Sequence, residues 1–306
     1  MEYVFVATGL VCLFLGGDWL VKGAIALSAK LGLPTFLISL TVVGFGTSMP
    51  ELLVSVRAAF ANAPGIALGN VVGSNIANIL LIIGLAAVIA PMSSTSRSSK
   101  RDLVVMLAAT AMLAMMLYVG TIGFGFGIVM VVLLALYLAF AYVQDCAIGA
   151  GEIEEGLAHI TPVRVGLLLV SGMGLLAIGA DLLVRGATVV AADLGVSNAI
   201  IGLTVVAVGT SLPELATSIA AALKRQSDIA IGNVIGSNIF NILGILGLTA
   251  LISPIPVAER FIVIDGWTML ATTAILVALL LLGRGIGRMM GTLFLVLYAG
   301  YMITMA

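Results

Sequence analysis

Ten runs of predominantly apolar residues follow one another along the chain with only short polar connectors, near 3–26, 35–60, 66–90, 102–119, 124–143, 163–189, 198–223, 229–252, 261–282 and 287–305. As helices, runs of this length reach across the roughly 30 Å hydrocarbon core of a bilayer. A soluble domain needs about a quarter of its residues charged to wet its surface, whereas here the figure is 9%. The runs lack the alternating polarity of barrel strands and are too long for them. Helices are then the element that can satisfy the backbone inside lipid. The expectation is an all-α polytopic membrane protein with ten transmembrane helices. A net charge of −1, the absence of a basic block and a single histidine, His159, in a polar stretch argue against nucleic acid as a partner. Cys12 and Cys146 offer neither a metal-ligand spacing nor a disulfide framework. No cofactor and no obligate protein partner is evident. Met1 and Glu2 lack the basic start of a signal peptide, so the first run reads as a retained helix. The 14 methionines are scattered through apolar runs and read as lipid-facing or packing surface.

Residues 34–91 match residues 197–254 without a gap, with 32 identities in 58 pairs. The matches include Gly, Pro, Asn, Ser and Glu, which shared apolar composition does not generate. The register extends back to Asp18, Lys22 and Gly23, opposite Asp181, Arg185 and Gly186. The chain therefore divides into a first repeat over 1–143, a short linker over 144–161 and a second repeat over 162–306. Five predicted helices per repeat is an odd number, so the second copy enters the membrane from the opposite side and the halves are inverted. Lys22, Lys30, Arg97, Lys100, Arg101, Arg164, Lys224, Arg225, Arg284 and Arg288 fall on one side, and Arg57, Arg185 and Arg260 on the other. Because positive charge collects on the cytoplasmic side, this predicts a multi-pass protein of the plasma (inner) membrane with both termini extracytoplasmic. Inverted repeats are the usual construction of secondary transporters, with the site near the midplane.

The first copy reads Gly-Phe-Gly-Thr-Ser-Met-Pro-Glu from Gly44 to Glu51, and the second Ala-Val-Gly-Thr-Ser-Leu-Pro-Glu from Ala207 to Glu214. On a helix Thr47, Ser48, Glu51 and Ser55 share one face, as do Thr210, Ser211, Glu214 and Ser218. A carboxylate at membrane depth costs about 2.5–3.5 kcal/mol even on the lenient insertion scale, so two at matching positions call for a compensating cation. Pro50 and Pro213 offer no N–H to Gly46 and Gly209, and carbonyls freed beside a Glu are the hard oxygen ligands that Ca²⁺ takes six to eight of, and that Na⁺ also accepts. In the following helix Asn70, Ser74 and Asn78 stack at intervals of four, echoed by Asn233, Ser237 and Asn241; their oxygens can complete a coordination shell without adding charge. Gly69, Gly73, Gly232 and Gly236 suit close helix approach. Any one of these small or polar residues on its own more often marks a kink or an interhelical hydrogen bond than an ion site. Glu51 and Glu214 resist that reading, since helix glue needs no carboxylate. Asp18 and Asp181, near span ends, read as ion-pair partners of Lys22 and Arg185 one turn later.

At these residues the chain resembles the calcium:cation antiporter superfamily, specifically its sodium/calcium exchanger branch in compact prokaryotic form. The Gly-Thr-Ser-x-Pro-Glu and Gly-Ser-Asn-Ile-x-Asn signatures look like its two alpha repeats, and the likeness covers nearly the whole chain. The resemblance implies ten transmembrane helices with the second, third, seventh and eighth around the ion sites. It also implies Glu51 and Glu214 as central ligands, Thr47, Ser48, Ser74, Thr210, Ser211 and Ser237 at flanking sodium positions, and backbone oxygens near Gly44 and Ala207. Many relatives carry Asp at the position of Asn241, whereas this chain has Asn at both equivalent places, Asn78 and Asn241. Two Glu balance one Ca²⁺ or two Na⁺, so a third Na⁺ would leave excess positive charge. The span from Gln144 to Thr161 is too short for a calcium-sensing domain.

The expectation is a secondary antiporter exchanging Ca²⁺ for Na⁺ by alternating access, not an enzyme. Its nearest rival is proton/calcium antiport, because two carboxylates can trade one Ca²⁺ for two protons; against it, hydroxyl-rich stripes suit Na⁺. An intramembrane hydrolase using the two Glu as acid and base is a remote alternative, without a His-Glu-x-x-His motif or a Ser-His or Cys-His pairing to support it. A passive channel would be excluded by concentrative calcium uptake.

Overall fold

The computed structural model describes residues 2–61, 63–92, 97–148, 160–193 and 207–304. The fold is all-helical. The first half holds α1 (Glu2–Leu31), α2 (Thr35–Thr47), α3 (Met49–Phe60), α4 (Gly65–Ile89), α5 (Arg97–Leu117) and α6 (Phe124–Ile148). The second holds α7 (Pro162–Asp193), α8 (Ala207–Thr210), α9 (Leu212–Leu223), α10 (Ser227–Ile252), α11 (Phe261–Leu281) and α12 (Arg288–Ile303). Among the described residues six helices are long and apolar enough to cross a membrane, and α2 with α3 makes a seventh as one bent span. The remaining expected spans fall short for visible reasons. The start of α5 carries Arg97, Lys100, Arg101 and Asp102, α12 has 16 residues, and residues 198–206 ahead of α8 lie outside the described part.

Burial sorts the helices into centre and rim. The most apolar window of α10 is 83% buried and that of α4 72%, against 22% for α6 and for α7. Two repeat-equivalent helices therefore form the centre, and side chains such as Phe14, Leu136, Val170 and Val296 face outward, as lipid contact requires. At the rim α1 crosses α7 on glycines spaced seven apart. A Cβ on Gly16 would stand 2.9 Å from the Gly172 carbonyl oxygen, and one on Gly179 equally close to that of Gly9. The backbones meet there because no side chain intervenes.

Charges gather at helix ends. Arg101 pairs with Asp102 at 2.6 Å and Asp145 at 3.1 Å, both acids fully buried. Asp145 falls within the linker expected over 144–161, yet α6 runs on to Ile148, and the guanidinium of α5 neutralises the acid across 44 residues of sequence. Residues 149–159, including His159, lie outside the described residues. Arg260 pairs with buried Asp265 at 3.1 Å, which also accepts the Tyr301 hydroxyl at 3.0 Å. Short extended pieces tie the connectors together: Thr121–Ile122 (β1) pairs antiparallel with Ile255–Pro256 (β2) in the register Thr121↔Pro256, and Met92 bridges Ile286.

Candidate ion-binding site

The site begins with two helix breaks. Between α2 and α3 the chain bends by 45°, with Ser48 at φ −84°, ψ 9°. Ser211 takes nearly the same conformation, φ −86°, ψ 6°, between α8 and α9. Pro50 and Pro213 explain the breaks. Each sits in the first turn of the new helix, where its missing N–H leaves nothing unmade, rather than in the interior of a continuous one. Glu51 and Glu214 consequently lie in the first turns of α3 and α9, where exposed backbone N–H dipoles favour an anion. Both are 1% exposed.

Ser-x-x-Glu at a helix start normally forms a capping box, in which the Ser and Glu side chains cap their own helix. Here neither Ser48 nor Ser211 caps. Instead the Ser48 hydroxyl donates to Glu214 Oε1 at 2.8 Å and the Ser211 hydroxyl to Glu51 Oε1 at 3.4 Å. The motif is exchanged between the two copies, each serine donating to the glutamate of the other.

The central helices supply the second wall. Asn70 donates its amide to the Glu51 carbonyl and to Ser55, both at 3.0 Å; Asn233 does the same to the Glu214 carbonyl at 3.4 Å and to Ser218 at 3.2 Å. These two asparagines brace α4 to α3 and α10 to α9, holding the carboxylate-bearing turns. One turn or two further on, Asn78 donates to Asn238 Oδ1 at 2.9 Å, and Asn241 donates to Ser74 Oγ at 3.0 Å and Asn75 Oδ1 at 3.1 Å. Both donors lie in wider helical turns: Asn78 opens the π-helical stretch Asn78–Ile83 and Asn241 lies in the stretch Phe240–Leu246. Such turns recur at functional sites because they re-aim side chains.

What remains is a set of oxygens with no donor. Seven buried polar side-chain atoms among the described residues lack a hydrogen-bond partner, and four of them are Glu51 Oε2, Glu214 Oε2, Asn78 Oδ1 and Asn241 Oδ1. Two repeat-equivalent pairs thus present acceptors, and leaving buried acceptors unmet costs about 1–3 kcal/mol each. Two carboxylates with neutral oxygens fit a hard cation. Among the described residues no group of three or more His, Cys, Asp or Glu gathers, so any ion held here relies on amide, hydroxyl and carbonyl oxygens as well.

The other expected residues divide. Thr47 donates to Asn233 Oδ1 at 3.2 Å and reaches the Gly44 carbonyl at 3.3 Å, where Ser237 also donates at 3.3 Å. A Cβ on Gly44 would stand 3.1 Å from the Ser237 nitrogen, so the glycine lets α2 and α10 approach closely there. Ser74 donates to the Val71 carbonyl while accepting from Asn241. Thr210 ends α8, which Ala207 begins. Asp18 pairs with Lys22 at 2.8 Å and with Lys224 at 2.7 Å, and Asp181 with Arg185 at 2.9 Å; both acids stand apart from the site. Asn75 and Asn238, absent from the sequence-derived set, prove to be the partners that orient Asn78 and Asn241. Their repetition in both copies, three residues before Asn78 and Asn241, was the available signal.

A model of the sodium/calcium exchanger protein family matches residues 1–143 and 165–306. The chain belongs to this family. It is 33% identical to the sodium/calcium exchanger MaX1 of Methanosarcina acetivorans, covering 100% of this chain and 98% of that one. It is 37% identical to an uncharacterized membrane protein of Methanocaldococcus jannaschii, over 95% and 93% of the two chains. A solved structure of the sodium-calcium exchanger NCX_Mj, soaked with zero Na⁺ and Ca²⁺, superposes with a TM-score of 0.87 at 32% identity, covering 100% of this chain and 99% of the other. This exchanger-family protein is accordingly a multi-pass membrane transporter of the cation/Ca²⁺ antiporter kind rather than an enzyme.

Proposed function

We propose that the protein exchanges Ca²⁺ for Na⁺ across the plasma (inner) membrane by alternating access, through ten transmembrane helices in two inverted repeats over 1–143 and 162–306. One observation carries the reading: four buried oxygens without donors, two of them on carboxylates, contributed in equivalent pairs by both copies. Glu51 and Glu214 are the central ligands, with Asn78 and Asn241 completing the calcium shell. Ca²⁺ neutralises the two carboxylates, and so do two Na⁺. The empty site keeps two negative charges in a low-dielectric interior, which holds it from turning over unloaded and makes exchange obligatory.

Sodium rather than proton coupling is supported by the Gly44 carbonyl, approached by the Thr47 and Ser237 hydroxyls at 3.3 Å each. Hydroxyl donors usually sit at about 2.7–2.8 Å, so these hydroxyls are loosely held and can turn their lone pairs to Na⁺. Ser48, Ser74, Thr210, Ser211 and the Ala207 backbone belong to the same flanking set. Lys22 and Lys224, meeting at Asp18, were both assigned to the cytoplasmic side, in keeping with extracytoplasmic termini. Proton coupling remains the second reading, because the site's two carboxylates each have an oxygen that a proton can occupy. In proteoliposomes, radioactive calcium should accumulate only under an outward sodium gradient. Accumulation driven by a pH gradient instead would replace the first reading by the second, and uptake indifferent to both would overturn antiport.

A further inference from the structure

Both orphaned amide oxygens depend on how their side chains are turned. An asparagine amide has an acceptor at one end and donors at the other, so committing the nitrogen aims the oxygen. Asn78 commits its nitrogen to Asn238 Oδ1. Asn238, its oxygen spent, must place its own N–H elsewhere, and it meets the sulfur of Met106 on α5 at 3.8 Å. The second copy repeats the relay: Asn241 donates to Asn75 Oδ1, and the Asn75 N–H reaches the sulfur of Met269 on α11 at 4.0 Å and the Asn238 carbonyl at 3.5 Å. Met106 and Met269 are separated by the same interval as Asn75 and Asn238, so the arrangement recurs at equivalent positions.

We infer that Met106 and Met269 are positioning residues for the ion site: as acceptors on α5 and α11 they lock the Asn238 and Asn75 amides in the one orientation that leaves the Asn78 and Asn241 oxygens free for a cation. The inference rests on the ion site proposed above. A thioether sulfur accepts hydrogen bonds and has no hydrogen to give. Reversing the Asn238 amide would set its oxygen against sulfur lone pairs and its NH₂ against that of Asn78, forcing Asn78 to turn as well and to present hydrogens to the cation. The sulfur therefore sets the direction of a relay whose far end is a ligand oxygen. Both methionines are fully buried, where packing alone is their usual use. Packing does not require an amide N–H on the sulfur in both copies. Each methionine also lies one turn beyond a buried, ion-paired aspartate, Asp102 or Asp265, at a level where Arg101–Asp145 and Tyr301–Asp265 contacts tie its helix to a neighbour.

The test is calcium uptake by proteoliposomes holding the full chain, with half-saturating Ca²⁺ and maximal flux measured separately. M106L and M269L keep the volume but lose the acceptor, and each should raise half-saturating Ca²⁺ about two- to tenfold, the worth of one net hydrogen bond, with maximal flux retained. M106Q, whose side-chain oxygen accepts an N–H, should return the affinity to that of the parent. M130L, at a buried methionine of α6, should change nothing. The inference is overturned if M106L and M269L match M130L in affinity, or if they lower flux and thermal stability while half-saturation stays put. E51Q serves as the separate control: normal calcium transport by E51Q would remove the ion site itself, whereas an inactive E51Q with unaltered M106L would remove only the role of the sulfurs.

Discussion

Replacing Glu51 by Gln alters one atom and one charge, and the structure says what each does. The amide keeps an oxygen for the Ser211 hydroxyl, so the cross-link to α9 survives. The charge goes. Unit charges about 4 Å apart interact by about 4 kcal/mol at an effective dielectric of about 20, and a divalent ion doubles that to about 8 kcal/mol. Repulsion between Glu51 and Glu214 acts in the free and the ion-bound protein alike, so its relief cancels from the binding free energy. Calcium binding then weakens by up to about 8 kcal/mol, or about six decades. A single Na⁺ loses about 4 kcal/mol of attraction, or about three decades, half the loss suffered by Ca²⁺. Charge arithmetic thus predicts an unequal loss, which a general disruption of the bundle would not produce. Titration calorimetry of the detergent-solubilised protein with CaCl₂ and NaCl, beside the parent, measures both. If E51Q binds Ca²⁺ within tenfold of the parent, or loses both ions equally with an intact fold, the two carboxylates are not acting as a shared counter-charge.

Three other outcomes follow from the same geometry. S48A removes the donor to Glu214 Oε1, a charge-assisted bond worth about 1.5–3 kcal/mol. Thermal unfolding should fall more in ion-free protein than with Ca²⁺, which takes over that oxygen; equal losses would mean that Ser48 acts only on the fold. D18N weakens partly exposed pairs to Lys22 and Lys224. Pairs of that kind contribute about 0–1 kcal/mol, so calcium flux should persist, and its abolition would make Asp18 part of the pathway. G179A puts a Cβ 2.9 Å from the Gly9 carbonyl and should cost about 1–3 kcal/mol of stability by thermal unfolding. G65A, where the same atom meets nothing within 4 Å, should not lose stability, since Ala is the better helix former; an equal loss in both, or none in G179A, would refute close packing at the α1–α7 crossing as the cause.

The duplication made much of this legible before any coordinates. Identical residues at a constant interval picked out Glu51 with Glu214 and Asn78 with Asn241, and those pairs carry the donorless oxygens. Residue type alone could not separate ligand from brace. Asn70 and Asn78 have the same side chain two turns apart on one helix, yet Asn70 spends its amide on the Glu51 carbonyl, and only the neighbouring helix decides that. The glycines of α1 and α7 carry meaning only once each helix has the other beside it. Asp145 falls in the expected linker because its partner, Arg101, lies 44 residues away on another helix.

The serines expose the deeper limit of periodicity. Counting three residues from Ser48 to Glu51 puts them on one face of one helix, which would have paired each serine with its own glutamate. The break falls at Ser48 and Ser211 themselves, each left in a non-helical conformation outside the new helix that Glu51 or Glu214 joins. The three-residue rule therefore no longer relates their directions, and each hydroxyl reaches the glutamate of the other copy. A local box would have stabilised two separate helix starts. The exchanged one makes either carboxylate's position depend on where the opposite break sits, so a movement of one repeat against the other must stretch or release both bonds together. An ion that binds both carboxylates strengthens the same link, which is how occupancy of the site can govern the relation between the two halves.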